Sequence, residues 1–467
     1  MRTLLTWHRW AGVIACLSVV AWSLSGVLHP IMSRLQPQPA ARSAPAVVLP
    51  SPIEIAVLLD THGIDTVHGI HPALIDQTPW LRIDTPDRAD ALYLNPDNGE
   101  TLANAEHAHA VFLARHFSGE HQAAVTRISR VTAFDDEYPY VNRLLPVWRV
   151  EFDRPDHLRA FIDTAHSRLG TLTDDNKLLM SQVFSALHTW HWAEGHTARL
   201  IAMSLLLLAT ASTAIAGLVM AVRLRNARQR LAKKTLRRWH RRLAMAVSLS
   251  TMMFTCSGLY HLLHTANPAA LPATITAAVH ASDIRYWPAI ASNETLSLHA
   301  PNGTPMWRIA RAASVPAEHA HHGAATHTPA AVHYINTRNG TRVDDGEQQL
   351  TYWLAAHYGN TSAEAIQGIE PITAFAGEYG FINKRLPVMR ANLNDAHDTS
   401  IYVETATDEL AAIVTNADRA EGWSFAWLHK WHFMDIKKDV RDGLLALFAL
   451  GNAVVALMGL LLFIRRG

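Results

Sequence analysis

From Trp10 to Met32 the chain runs for 23 residues without an Asp, Glu, Lys or Arg. About 20 apolar residues in a helix cross the hydrocarbon core of a bilayer. Further apolar runs occupy Leu200–Val222, Leu243–Tyr260 and Gly443–Ile464. Four membrane-spanning helices are therefore predicted. With 49% hydrophobic and 17% charged residues over 467 positions, the composition is that of a mixed membrane and soluble protein. A cleaved signal peptide fits the first run poorly, because its charged leader is thin and its pattern recurs inside the chain, where no signal peptide lies.

The recurring pattern is Trp7-His8-Arg9 with Ser25-Gly26-Val27-Leu28-His29, and again Trp239-His240-Arg241 with Ser257-Gly258-Leu259-Tyr260-His261. In each copy the histidines stand 21 residues apart. Three heptads of helix place both on one seam, about 31 Å apart. Ser25 and Gly26 precede His29 by four and three residues and Gly12 follows His8 by four. Small side chains on the histidine face leave room for something flat and large.

Charge gives the orientation. Ten of the 41 Lys and Arg lie between Arg223 and Arg242 with no acid among them, a cytoplasmic marker, so the rest of the chain is net acidic. The expected order is a first span over 1–30, a periplasmic α+β domain over 31–196 and a second span over 197–222. A basic cytoplasmic loop over 223–242, a third span over 243–263, a second periplasmic domain over 264–438 and a fourth span over 439–467 follow. Pro37, Pro39 and Pro45 open the first domain as a linker. Strand alternation at Trp80–Asp84 and Ala91–Asn95 leads to an Asp97-Asn98-Gly99 turn, and Val332–Asn336 with Asn339-Gly340 repeats it. The histidines His319, His321, His322 and His327 form an insertion that reads as a solvated loop or a metal-binding tract. Cys16 and Cys256 lie in apolar runs that do not align, which predicts core packing without a disulfide.

The pattern extends over almost the whole chain as an internal duplication. An offset of 232 aligns the first helix of each half, and an offset of 241 carries Thr132-Ala133-Phe134 onto Thr373-Ala374-Phe375 and Leu145-Pro146-Val147 onto Leu386-Pro387-Val388. The same offset carries Leu187-His188-Thr189-Trp190-His191 onto Leu428-His429-Lys430-Trp431-His432. Two halves of one topology imply a pseudo-twofold axis normal to the membrane, on which His8 faces His240 and His29 faces His261. Paired neutral imidazoles fill both axial positions of a b-type haem, so two haems are expected. No Cys-x-x-Cys-His occurs, which argues against covalent attachment. His188 with His191 and His429 with His432, three apart and therefore on one helical face, are alternative outer haem ligands, contacts to an iron-containing substrate, or members of an aromatic belt.

The His-Arg opening, the Leu-His pair before the next span, the second Trp-His-Arg opening and the intervening α+β segments resemble the PepSY-associated transmembrane family. That resemblance implies iron-regulated inner-membrane proteins, some of them haem-containing reductases of ferric siderophores. It also matches His8, His188, His240 and His429 to the family's usual histidines. The expected fold is a four-transmembrane-helix bundle built from two tandem repeats, each with a periplasmic PepSY-like domain. The expected function is electron transfer across the inner membrane to a ferric siderophore or other ferric chelate. A non-redox membrane module that binds or regulates a partner protein is the alternative. Lipid is the expected surroundings and nucleic acid is not an expected partner. No Gly-rich dinucleotide fingerprint follows a strand, so the electron donor, a quinol or a cytoplasmic reductase, must be separate.

Overall fold

Four helices are long and apolar enough to span a membrane: α1 (Arg2–Leu35), α5 (His196–Arg223), α6 (Thr235–His264) and α9 (Lys438–Ile464). The computed structural model describes residues 2–50, 53–223, 235–266, 274–311 and 331–465. Most of the basic loop and the histidines at 319–327 lie outside these described residues. The chain divides into a helical unit, residues 1–36, 176–270 and 417–467, and an α+β unit, residues 37–175 and 271–416.

In the helical unit α1 packs on α5 and α9, and α6 also packs on α5 and α9. This ring sets the two histidine-bearing helices, α1 and α6, on opposite corners. Pro30 lies inside α1 without ending it, and the helix continues to Leu35, beyond the expected boundary at residue 30. Two short segments join the ring: α4 (Asp175–His188) ahead of α5, and α8 (Asn416–Ser424), whose end widens into a π-turn at Phe425–His429, ahead of α9. These residues were expected within the 31–196 and 264–438 segments, yet they cluster with the spans. Cys16 is buried and Cys256 exposed, so only the first fits the expected packing role; both are free.

The α+β unit is antiparallel throughout. Its first part contains α2 (Ile55–Thr61), β1 (Thr66–Val67), a sheet of β2 (Gly69–Ile75), β3 (Thr78–Asp84) and β4 (Leu92–Leu94), and α3 (Ala105–Ser118). A four-stranded sheet of β5 (Val125–Val131), β6 (Val147–Phe152), β7 (Arg159–Asp163) and β8 (Arg168–Thr173) completes it. The second part begins with β9 (Val279–His280), which pairs with β1. It continues through β10 (Glu294–His299), β11 (Met306–Arg311), β12 (Val332–Asn336) and β13 (Arg342–Val343), then α7 (Gly346–Tyr358). The last sheet is β14 (Ile366–Ile372), β15 (Val388–Leu393), β16 (Ser400–Glu404) and β17 (Glu409–Val414). Asp76 and Gln77, both at positive φ, make the two-residue turn between β2 and β3, the twist that a tight hairpin requires.

The two parts do not fold as separate domains. One core joins Leu59, Ile70 and Leu81 of the first part to Leu298, Trp307 and Ile309 of the second. A buried charge cluster also ties them. Glu404, 1% exposed, accepts two hydrogen bonds from Arg168 at 2.6 and 2.8 Å and one from Arg385 at 2.6 Å. Burial pushes this carboxyl up, but the two guanidiniums together hold it well below the usual range. A depressed carboxylate contributes stability above its unfolded pKa of about 4.3, and that contribution is lost as the pH falls further. Glu404→Gln is expected to destabilise the α+β unit by about 1–3 kcal/mol, because the half-buried Arg168 loses its carboxylate while Arg385 keeps Glu409. Thermal unfolding at neutral pH checks this: an unchanged midpoint means that the cluster is not a structural tie.

Candidate functional site

His8 and His240 meet across the corners of the ring, with centroids 6.5 Å apart and planes at 68°. Each ring is held by a backbone carbonyl of the neighbouring span. His8 Nδ1 lies 2.9 Å from the Thr213 oxygen on α5, and His240 Nδ1 lies 3.2 Å from the Val455 oxygen on α9. The contact depends on glycine four residues further along each span. A helical side chain leans back over the preceding turn, so the residue at i+4 covers the carbonyl at i. A Cβ at Gly217 would lie 3.2 Å from His8 Cε1, and one at Gly459 would lie 3.3 Å from His240 Cε1. With Nδ1–H donated to a carbonyl, each imidazole keeps its Nε2 lone pair free.

A cavity of about 360 Å³ opens around this pair, lined by apolar side chains of all four spans. That lies within the size range of small-ligand sites. Gly12 lines it while backing onto Thr213, whereas Gly26 faces Ala449 and serves helix packing.

A second pair forms further along the bundle, from His188 and His429, with centroids 6.4 Å apart and planes at 90°. The His188 ring is stacked on Phe184 and the His429 ring on Phe425, each at 4.9 Å. Ser25 fixes His188 from α1: its hydroxyl donates to the Trp22 carbonyl and lies 2.9 Å from His188 Nδ1. Trp22 adds an indole hydrogen bond to the His188 carbonyl and stacks on Trp190. At the corresponding positions of the other half, Ser257 Oγ and His429 Nδ1 are both buried without a hydrogen-bond partner. Both histidines lie outside the four spans. Burial first, then Lys430, pushes His188 down to about 4; burial first, then His188, pushes His429 down to about 3. Both are neutral at pH 7, the form that binds a metal.

The outer site therefore differs from the expected pairing of His29 with His261. The structure brings His188 and His429 together, and His29 and His261 sit one aromatic layer away, beside Phe184 and Phe425 at 5.9 and 5.2 Å. Both are exposed, and His261 Nδ1 is engaged by the Glu421 carboxylate at 2.6 Å. The 21-residue spacing aligns each with its partner histidine along one helix but does not determine which rings meet between helices. The expectation that His191 and His432 share a face with His188 and His429 also fails. The helix ends at His188, Trp190 and Trp431 take positive φ, and His191 and His432 are turned outward, exposed. Gly217, Gly459, Phe184 and Phe425 escaped the sequence reading. Their signal was present, since Phe184 and Phe425 are related by the 241-residue offset and the two glycines stand 242 apart within apolar spans.

Both pairs suit one kind of ligand. Two imidazoles that each give one nitrogen to the same metal at about 2.0–2.1 Å have centroids roughly 6 Å apart. Among the described residues no group of three or more His, Cys, Asp or Glu converges on a metal site. Two donors with open space between them fit a metal whose remaining positions come from a macrocycle. Four membrane-length helices with an α+β unit define a multi-pass membrane protein. The chain belongs to the family of the PepSY-associated TM region, whose sequence signature matches residues 5–466. No curated protein matches it.

Gly459→Leu is expected to push the His240 ring off Val455 and, for a coloured ligand held between the two imidazoles, to lower its absorbance in the purified protein. Ser25→Ala should weaken ligand binding at the outer site by about 10–100-fold, the usual effect of losing a partner behind a metal-binding histidine. Absorbance and affinity equal to the parent in both variants would show that neither contact holds its ring.

Proposed function

We propose that the chain consists of two tandem repeats that hold two haem b groups, one between His8 and His240 and one between His188 and His429. It would carry electrons across an inner membrane to a ferric chelate, such as a ferric siderophore, on the periplasmic side. The observation that carries the reading is the pair of matched imidazole contacts at different levels of one bundle. Ser25, which touches the outer pair, lies 17 residues beyond His8 on one helix, about 25 Å along its axis.

A haem bound at each pair supplies a one-electron carrier whose potential depends on its axial ligands and surroundings. The chain's own part is to orient the rings. Thr213, Val455 and Ser25 engage Nδ1 of three of the four imidazoles and so leave Nε2 as the nitrogen available to a metal, and Phe184 and Phe425 limit rotation at the outer pair. Most of the lining around the inner pair is apolar. Outward direction follows from the basic segment at 223–242, which favours the cytoplasm and puts both long segments outside. Reduction loosens a siderophore because hard oxygen donors suit Fe(III) better than Fe(II). The donor is a separate molecule, a quinol or a cytoplasmic reductase.

The visible spectrum of protein purified after growth with ample haem tests the reading. Low-spin haem is expected, with His240→Ala and His429→Ala each removing one component and His261→Ala sparing both. Colourless protein would favour instead a non-redox module that binds a partner. Alkaline phosphatase fused after Arg230 is expected to be inactive; activity there reverses the topology and the electron direction with it.

A further inference from the structure

The inner cavity has one unusual boundary. Among the described residues its lining includes four arginines, Arg9, Arg237, Arg238 and Arg241, and no carboxylate. The sequence cannot supply one nearby: from Gly195 to Ser282 there is no Asp or Glu, and α1 has none. Elsewhere the chain pairs its interior guanidiniums, as Arg168 and Arg385 do with Glu404. At the cavity Arg9 rests against the Phe463 ring, 5.2 Å from its centroid, and Arg238 Nε is buried without a hydrogen-bond partner. A guanidinium beside an apolar cavity is costly to leave without an anion, and a carboxylate meets its planar fork with two parallel hydrogen bonds.

We infer that this end of the cavity is the carboxylate-binding part of the inner site, where Arg9 and Arg241, assisted by Arg237 and Arg238, receive the two propionates of the haem. Arg9 and Arg241 each follow a ligand histidine, His8 and His240. Each of the two histidine-bearing helices thus offers one imidazole and one guanidinium, and the flat ligand is fixed both through its metal and along one edge. Its carboxylate edge faces the end of the bundle where α1 begins, and its apolar edge faces the interior. This assignment rests on the haem reading above. Lipid phosphate is the other anion that could meet these arginines.

The test uses the full chain carrying His429→Ala, which leaves only the inner pair, purified after growth without haem. It is titrated with haem b and with its dimethyl ester, whose carboxylates are blocked, and the Soret band is followed. The ester is expected to bind at least about tenfold more weakly, the scale of a lost charge-assisted hydrogen bond. In Arg9→Gln/Arg241→Gln the preference for the free acid should shrink to within a few-fold, with the low-spin spectrum retained. Equal affinity of haem and ester for the parent chain overturns the inference and leaves the arginines to lipid phosphate. If neither compound gives a low-spin, shifted Soret band on titration, the haem reading itself is removed, and the inference falls with it.

Discussion

A carbonyl inside an α-helix already accepts one hydrogen bond, and a ring from a neighbouring helix reaches it more closely where the residue one turn ahead carries no side chain. At Thr213 and Val455 that side chain is missing, because Gly217 and Gly459 stand there, and the imidazoles of His8 and His240 reach the exposed oxygens. Everything at the inner site follows from this. The ring that gives away its Nδ1 proton must keep its other nitrogen bare, and the neighbouring helix decides where that nitrogen points. The diagonal placement of α1 and α6 then brings two such rings to within 6.5 Å of each other, centroid to centroid.

The outer pair reaches a similar arrangement by other means. No span supplies its histidines; they come from the ends of α4 and of the π-turn after α8, where the helix stops and the backbone turns. A serine replaces the carbonyl on one side, and stacked phenylalanines replace close helix packing on both. Only one half forms the serine contact. In the other half the same two atoms are buried and unpaired, so the outer site is unequal where the inner site is nearly symmetric.

Charge is distributed just as unevenly. In the α+β unit, buried arginines and carboxylates neutralise one another, and the cluster around Glu404 joins strands that are far apart in sequence. Among the described residues the arginines around the inner cavity have no carboxylate beside them.

Much of this was legible in the residues. Apolar runs of membrane length and the alternation of strands follow from periodicity, which acts locally along a helix or strand, while the doubled Trp-His-Arg and the pairing of His8 with His240 follow from the internal duplication. The residues alone leave the outer pair open between His29 with His261 and the set of His188, His191, His429 and His432, because helical phase does not show where the backbone changes direction. A spacing of three marks one face only while the helix lasts, and Trp190 and Trp431 end it in left-handed turns. The glycines beneath the histidines looked like ordinary small residues until another helix was laid against them. Sequence alone therefore determined which side chains were available and which face of each helix they occupied. Tertiary structure decided which of them meet, since contact between helices depends on where each one stops and on which carbonyls its neighbours leave uncovered.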